Sequence, residues 1–258
     1  MSNENLPEIE VIYEDTDCAV INKPAGLMVH PDGRSKGPFL TDWLAKRFPE
    51  SVSIGEPGNG PDGQPLARGG IVHRLDRDTS GALIVAKTQR GFDSLKSQFQ
   101  DREVKKRYLA FVWGDMKEEF GTIDRPIGRS GSDFRKWSAQ RGARGEMREA
   151  ETYWALLKNA EVPEGKIALV RCEPKTGRTH QIRVHMNAIN HPVIGDSLYA
   201  PKRPLILGFE RLALHALELE FADLAGKTVK AAAPLPADFK KALEILNISK
   251  PYDKLLSL

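Results

Sequence analysis

The chain has 258 residues, 40% hydrophobic, 28% charged and only 7% aromatic, which suits a folded globular protein and excludes a disordered or fibrous one. No apolar run approaches the roughly 18 residues of a membrane helix, and the acidic start MSNENLPEIE carries no apolar leader segment, so the cytoplasm is the expected compartment. The net charge of +3 hides an asymmetry, since residues 1–60 hold 5 Lys/Arg against 10 Asp/Glu while residues 61–183 hold 24 against 17.

Two short strands, 9–14 and 18–23, open the chain around the turn-prone Glu14-Asp15-Thr16-Asp17. Leu40, Trp43, Leu44 and Phe48 repeat at helical spacing and predict a helix over 40–48. The run 55–63, GEPGNGPDG, reads as a loop. A buried strand follows at 82–87 (ALIVAK), then a helix carrying Phe92, Leu95 and Phe99 that ends near Arg102. Residues 105–113 (KKRYLAFVW) form a strand with a basic start. The segment 125–148 has little apolar content and reads as an extended loop or hairpin. Strands at 152–158 and 166–173 precede a helix over 179–190 that Thr179 is placed to cap. Strands at 212–221 and 227–232 and a helix at 236–246 begun by Pro236 complete the chain. Strands and helices in this order make no regular βαβ alternation, so the expected class is α+β, one unit or two subdomains sharing a sheet.

Three stretches carry candidate chemistry. In Gly69 to Thr88 a polar knot (His73, Arg74, Asp76, Arg77, Asp78, Thr79, Ser80) sits between two apolar segments, a common way to present side chains at a pocket floor. Asp76 has Arg74 and Arg77 as sequence neighbours, which favours a carboxylate suited to nucleophilic work; alternatively, Asp76 and Thr79 only shape a turn. In Glu173 to Met186 the start of a helix presents His180 and Arg183, where the helix dipole favours anions. His180 and His185 are off the spacing of a metal-binding HExxH helix, and Cys18 and Cys172 form no CxxC or Cys/His set, so neither a metal nor a disulfide framework is expected. The third stretch is the basic run with Arg125, Arg129, Arg135, Lys136, Arg141, Arg144 and Arg148, which either faces a polyanion or is a solvated surface. No phosphate loop, GxGxxG or GxSxG occurs, so nucleotide cofactors have no visible seat. A non-enzymatic RNA-binding protein, and a hydrolase using Asp76 with Asp78, are the competing readings.

Taken together, Gly70-Ile71-Val72-His73-Arg74-Leu75-Asp76 with Thr79-Ser80-Gly81, the upstream VINKPAG, Lys106-Arg107-Tyr108, Gly177-Arg178-Thr179-His180-Gln181-Ile182-Arg183 and His191-Pro192-Val193-Ile194-Gly195-Asp196 resemble the RluA family of pseudouridine synthases, in that family's order. The resemblance implies a mixed, largely antiparallel sheet with flanking helices and a central RNA-binding cleft. It also implies isomerisation of uridine in ribosomal or transfer RNA without cofactor or metal; a monomer is the default expectation. On it, Asp76 is the catalytic aspartate, Tyr108 the active-site tyrosine and Arg183 the arginine that pairs with the aspartate. Arg74, His73, Thr79, Arg178, His180 and Gln181 are expected to contact the substrate. Arg77, Lys105, Lys106, Arg107, Arg129, Arg135, Lys136, Arg141 and Arg144 are expected to grip RNA. Because VINKPAG lies so near Met1, no separate N-terminal S4 RNA-binding domain is expected.

Overall fold

The computed structural model describes residues 6–31, 37–56, 58–59, 65–66, 69–140 and 143–248. In chain order the strands and helices are β1 (Val11–Glu14), β2 (Cys18–Lys23), α1 (Leu40–Arg47), β3 (Gly58–Asn59), β4 (Pro65–Leu66), β5 (Ser80–Ala86), α2 (Gln89–Gln100) and β6 (Lys105–Trp113). There follow β7 (Phe120–Asp124), β8 (Ile127–Arg129), β9 (Trp137–Ser138), β10 (Arg144–Arg148), β11 (Glu151–Val162), β12 (Gly165–Pro174), α3 (Gln181–Ala188), β13 (Leu214–Ala222), β14 (Thr228–Ala232) and α4 (Ala237–Ile245). The chain divides into two compact units: residues 1–105 with 218–234, and residues 106–217 with 235–258.

In the first unit β2 lies between β1 and β5, antiparallel to both, and β14 pairs antiparallel with Glu218–Ala222 of β13. Every residue of β5 is buried, so its unbroken apolar run reflects cover on both faces rather than alternation. One of those faces supplies Ala82, Ile84 and Ala86 to a core completed by Cys18, Val20, Phe92, Leu95, Leu219 and Phe221. α2 begins where the Thr88 side chain accepts from the Gly91 amide.

A buried cation closes the end of β2. The Lys23 side chain is fully buried and its ammonium donates to the carbonyls of Pro24 (2.8 Å), Leu27 (2.8 Å) and Arg77 (3.0 Å). The Gly26 amide donates to the same Arg77 carbonyl at 2.9 Å, so the bend after β2 is fastened to the bend that follows Asp76. Lys23→Met keeps the apolar stem but leaves buried acceptors without a donor, at about 1–3 kcal/mol each. The expected result is a loss of more than about 3 kcal/mol in urea unfolding; an unchanged midpoint would deny the clamp.

In the second unit the antiparallel order is β6-β12-β11-β7, with β11 and β12 forming one long hairpin from Thr152↔Pro174 to Val162↔Gly165 whose register shifts between Leu156 and Lys158. The expected strands 152–158 and 166–173 are the two arms of this hairpin, both of which run further. Phe239 of α4 packs with Phe111 and Phe209. The segment 125–148, expected as a loop or hairpin, instead contains a three-stranded sheet of order β10-β8-β9. Its core is Ile127 and Ala150 against Val184 of α3, with Trp137 and Tyr199 packed alongside.

The expected cap at Thr179 is not used. The residue before α3 is His180, in a left-handed conformation at φ 57° with no side-chain cap bond. Its ring Nδ1 lies 3.1 Å from the Tyr199 hydroxyl, a tertiary contact that overrides the local preference.

Candidate active site

The first unit presents Asp76 on a braced loop. Gly70 approaches β5 so closely that a Cβ there would lie 2.0 Å from the Ala86 carbonyl oxygen, and its φ of +72° also favours glycine. The Ala86 amide donates back to the Gly70 carbonyl at 2.8 Å, and Ile71 bridges Val85. His73 Nε2 accepts from the Ile84 amide at 2.9 Å, while its ring stacks on Phe99 at 4.7 Å. The histidine expected to touch substrate is thus a brace between this loop, β5 and α2. Leu75 is buried and anchors the next residue, Asp76, which is half-buried at the start of a turn closed by the Thr79 amide donating to the Asp76 carbonyl (3.2 Å).

The side chains around this turn divide cleanly. Arg77, expected beside Asp76, turns to its sequence neighbour Asp78 at 3.0 Å, and that pairing raises the guanidinium pKa further. The second carboxylate of the hydrolase reading therefore has a cation on it. Arg74 is exposed. Thr79 is 2% exposed and its hydroxyl has no hydrogen-bond partner among the described residues.

The second unit carries Tyr108 and Arg183. Tyr108 is buried on β6 opposite Cys172 of β12. Burial pushes the Cys172 thiol up to about 12, so it is inert as a nucleophile. Alternation along β6 splits the basic start: Lys106 is buried, Arg107 approaches Glu173 (3.8 Å), and only Lys105 is exposed, in the first unit and paired with Glu220 at 2.6 Å. Lys105 and its pair with Glu220 pull the Glu220 carboxyl below its usual range. Lys106 and Arg107 are accordingly not the open phosphate grip that the sequence suggested.

Arg183 is nine-tenths buried and is gripped from below by Asp196, its Nε 2.7 Å from one carboxylate oxygen and its Nη2 2.9 Å from the other. The Asp196 side chain has no exposure and also accepts from the amides of Leu198 (3.0 Å) and Tyr199 (2.9 Å). Charge-assisted bidentate pairing of this kind fixes the guanidinium plane. The Tyr199 ring lies beside that guanidinium at 5.2 Å, and its hydroxyl accepts from the Trp137 amide (3.0 Å). Trp137, Tyr199, His180 and Arg183 are thereby fastened into one cluster.

Gln181, expected to contact substrate, is used internally. Its amide oxygen accepts from the Thr176 hydroxyl (2.7 Å) and the Arg178 amide (2.9 Å), and its NH2 donates to the Glu151 carbonyl (2.9 Å) and Thr152 Oγ1 (3.0 Å). With all four positions taken, it shapes the 175–180 turn instead. His185 continues the chain of bonds, its Nε2 3.0 Å from the Arg125 carbonyl and its Nδ1 2.9 Å from Thr152 Oγ1. A carbonyl only accepts, so Nε2 carries the proton; burial lowers the pKa of this imidazole and keeps it neutral. Arg178 donates to the Glu149 carbonyl at 2.9 Å and is partly exposed.

In the basic segment Arg129 sits over the Trp137 ring at 4.2 Å, and Arg135 pairs with Asp133 at 2.9 Å. Lys136 is partly exposed and Arg144 exposed, while Arg141 lies outside the described residues. Among the described residues no group of three or more His, Cys, Asp or Glu is placed to hold a metal ion, and no helix is long and apolar enough to cross a membrane. The motif reading missed Lys23, Asp196 and Tyr199 as functional supports. A signal was present for Asp196, which ends the His191-Pro192-Val193-Ile194-Gly195-Asp196 motif.

Residues 17–188 match the family model of RNA pseudouridylate synthases, and the chain belongs to that family. It is an isomerase acting on uridine in RNA. The chain is 36% identical over 244 residues to an uncharacterised RNA pseudouridine synthase of Synechocystis, covering 94% of this chain and 70% of the relative. It is likewise 36% identical over 253 residues to ribosomal large subunit pseudouridine synthase D of Zymomonas mobilis, covering 95% and 75%. Among solved structures, human RNA pseudouridylate synthase domain containing 1 superposes with a TM-score of 0.72 at 26% identity, covering all of this chain and 96% of the human one. The shared fold is α+β, as the order of elements indicated, with mostly antiparallel strands, as the resemblance implied.

Proposed function

We propose that this enzyme converts specific uridines of large-subunit ribosomal RNA, with transfer RNA as the second candidate, using Asp76 as the catalytic group. The ribosomal assignment is supported by the Zymomonas relative named for that substrate. The assignment of Asp76 is supported above all by its setting: a half-buried carboxylate on a loop braced by Gly70, His73, Leu75 and Lys23, with a buried, unpartnered Thr79 hydroxyl in the same turn. Such bracing pre-orients a group for attack on a bound sugar. Asp76 starts the cleavage of the C1′–N1 bond, by attack at C1′ or by taking the 2′ proton. An isotope effect from deuterium at C2′ separates the two. Arg183, held in plane by Asp196, supplies a fixed cation to the reaction. Tyr108 stacks on the freed uracil while it turns to present C5, and assists loss of the C5 proton. Arg74, Thr79, Arg178 and His180 contact the extruded nucleotide; flipping it costs a few kcal/mol and favours loop uridines. Substrate and product are isomers, so the reaction consumes no second substrate. The two units act as subdomains of one catalytic domain, in a cytoplasmic monomer.

The test is release of tritium from RNA carrying C5-tritiated uridine, together with mapping of pseudouridines in cellular RNA with and without the gene. No release, with the chain still binding RNA, would return it to the class of plain RNA-binding proteins.

The small sheet β10-β8-β9 supplies the grip. Arg144 and Arg129 stand directly opposite each other across β10 and β8, where like charges repel unless an anion lies between or beside them. Arg144→Glu is expected to weaken RNA binding and lower the slope of log K against log salt by about one. A slope equal to that of the unsubstituted enzyme would make this sheet a solvated surface.

A further inference from the structure

The bend between β8 and β9 is locked on every side, yet its apical residue is displayed to solvent. The Ser130 amide donates to the Lys136 carbonyl (3.0 Å) and the Lys136 amide to the Asp133 carbonyl (3.0 Å). Asp133 accepts from the Arg135 amide at 3.0 Å and from its guanidinium at 2.9 and 3.1 Å. Arg129, stacked over Trp137, reaches across to donate to the Phe134 carbonyl at 3.1 Å. The Phe134 side chain nonetheless is 73% exposed. Single exposed apolar residues are ordinary on mobile loops and surfaces. This one sits inside the paired Asp133–Arg135 bend, its carbonyl held by Arg129, in the connection of a sheet whose edge strand β10 is exposed at all five positions. A solvent-exposed edge strand in one small sheet with an exposed aromatic ring and basic side chains matches the pattern by which proteins hold single-stranded nucleic acid: charge for the backbone, a ring for a base.

We propose that Phe134 is a stacking platform for one unpaired base of the substrate RNA, at a nucleotide other than the uridine that reacts. The inference rests on the reading of the basic sheet as an RNA contact and names the ligand of its aromatic. The platform is not free-floating. Trp137 of β9 donates its amide to the Tyr199 hydroxyl, which also meets His180, so within this unit the bend is tied to the cluster that holds Arg183. One base is therefore selected at one separation along the RNA from the reacting uridine.

The experiment measures binding of a substrate RNA hairpin to Phe134→Ala, Phe134→Trp and Arg144→Glu, each also tested against hairpins carrying one abasic site in turn. Phe134→Ala is expected to weaken binding by roughly 5- to 100-fold without altering the salt slope, and Phe134→Trp to restore it. An abasic site at one unpaired position, not the target, should weaken the unsubstituted enzyme and add nothing to Phe134→Ala. If Phe134→Ala binds within two-fold of the unsubstituted enzyme while Arg144→Glu flattens the salt slope, the platform is refuted and the basic grip stands. If neither changes anything, both fall. A Phe134→Ala penalty that is equal on every abasic hairpin also refutes base stacking and makes the ring a contact to the RNA backbone.

Discussion

Asp76→Asn is expected to abolish pseudouridine formation, with single-turnover tritium release falling by at least about 10⁴-fold, while RNA affinity stays within about two-fold. The size of the effect follows from chemistry. An amide has the shape of the carboxylate but is neither a nucleophile at C1′ nor a base for the 2′ proton. The retained binding follows from the fold. The turn at Asp76 is closed by its main-chain carbonyl accepting from Thr79, and its flanks are held by His73 on the Ile84 amide and Lys23 on the Arg77 carbonyl, none of which uses the Asp76 side chain. Normal turnover by Asp76→Asn would remove the carboxylate from the mechanism. A matching collapse of RNA affinity would instead assign it to binding.

Asp196→Ala carries the other large effect, expected in both stability and rate. The Arg183–Asp196 pair is buried, at 10% and 0% side-chain exposure. Removing one member leaves a desolvated guanidinium and two amides, of Leu198 and Tyr199, without their acceptor. Breaking such a pair costs about 3–5 kcal/mol, a melting-temperature drop on the order of 10 °C for a chain of this size. Below that temperature the folded fraction should still lose activity, because Arg183 no longer has its plane fixed. Arg183→Ala and the double variant complete a cycle: coupling of the two positions by more than about 1 kcal/mol supports a shared role. A fully stable, fully active Asp196→Ala would leave Asp196 without the function assigned to it.

The buried strands were legible in the sequence. Cys18–Lys23 and Lys105–Trp113 have the bounds their apolar runs indicate, and Leu40–Arg47 follows its helical repeat. Phe120–Asp124, Ile127–Arg129, Trp137–Ser138 and Arg144–Arg148 were not, for Ile127–Arg129 and Trp137–Ser138 are only 3 and 2 residues long, and Arg144–Arg148 buries neither face. A strand without an inside has no alternation to read. The side chains of the site divide in the same way. Motifs in register named Asp76, Tyr108 and Arg183, but not what supports them.

By itself the sequence determined the family, the reaction and the α+β class, because several motifs in a fixed order constrain chemistry more tightly than any one of them. Only the tertiary structure decided that Asp196 holds Arg183, that Lys23 clamps the bend after Asp76, and that Gln181 and His73 are braces rather than open contacts. Local preferences act over three or four residues, whereas Lys23 and Arg77 are 54 positions apart and Arg183 and Asp196 are 13. Buried polar groups take whichever partner the folded chain brings within 3 Å, and that partner is not encoded in their neighbours along the sequence.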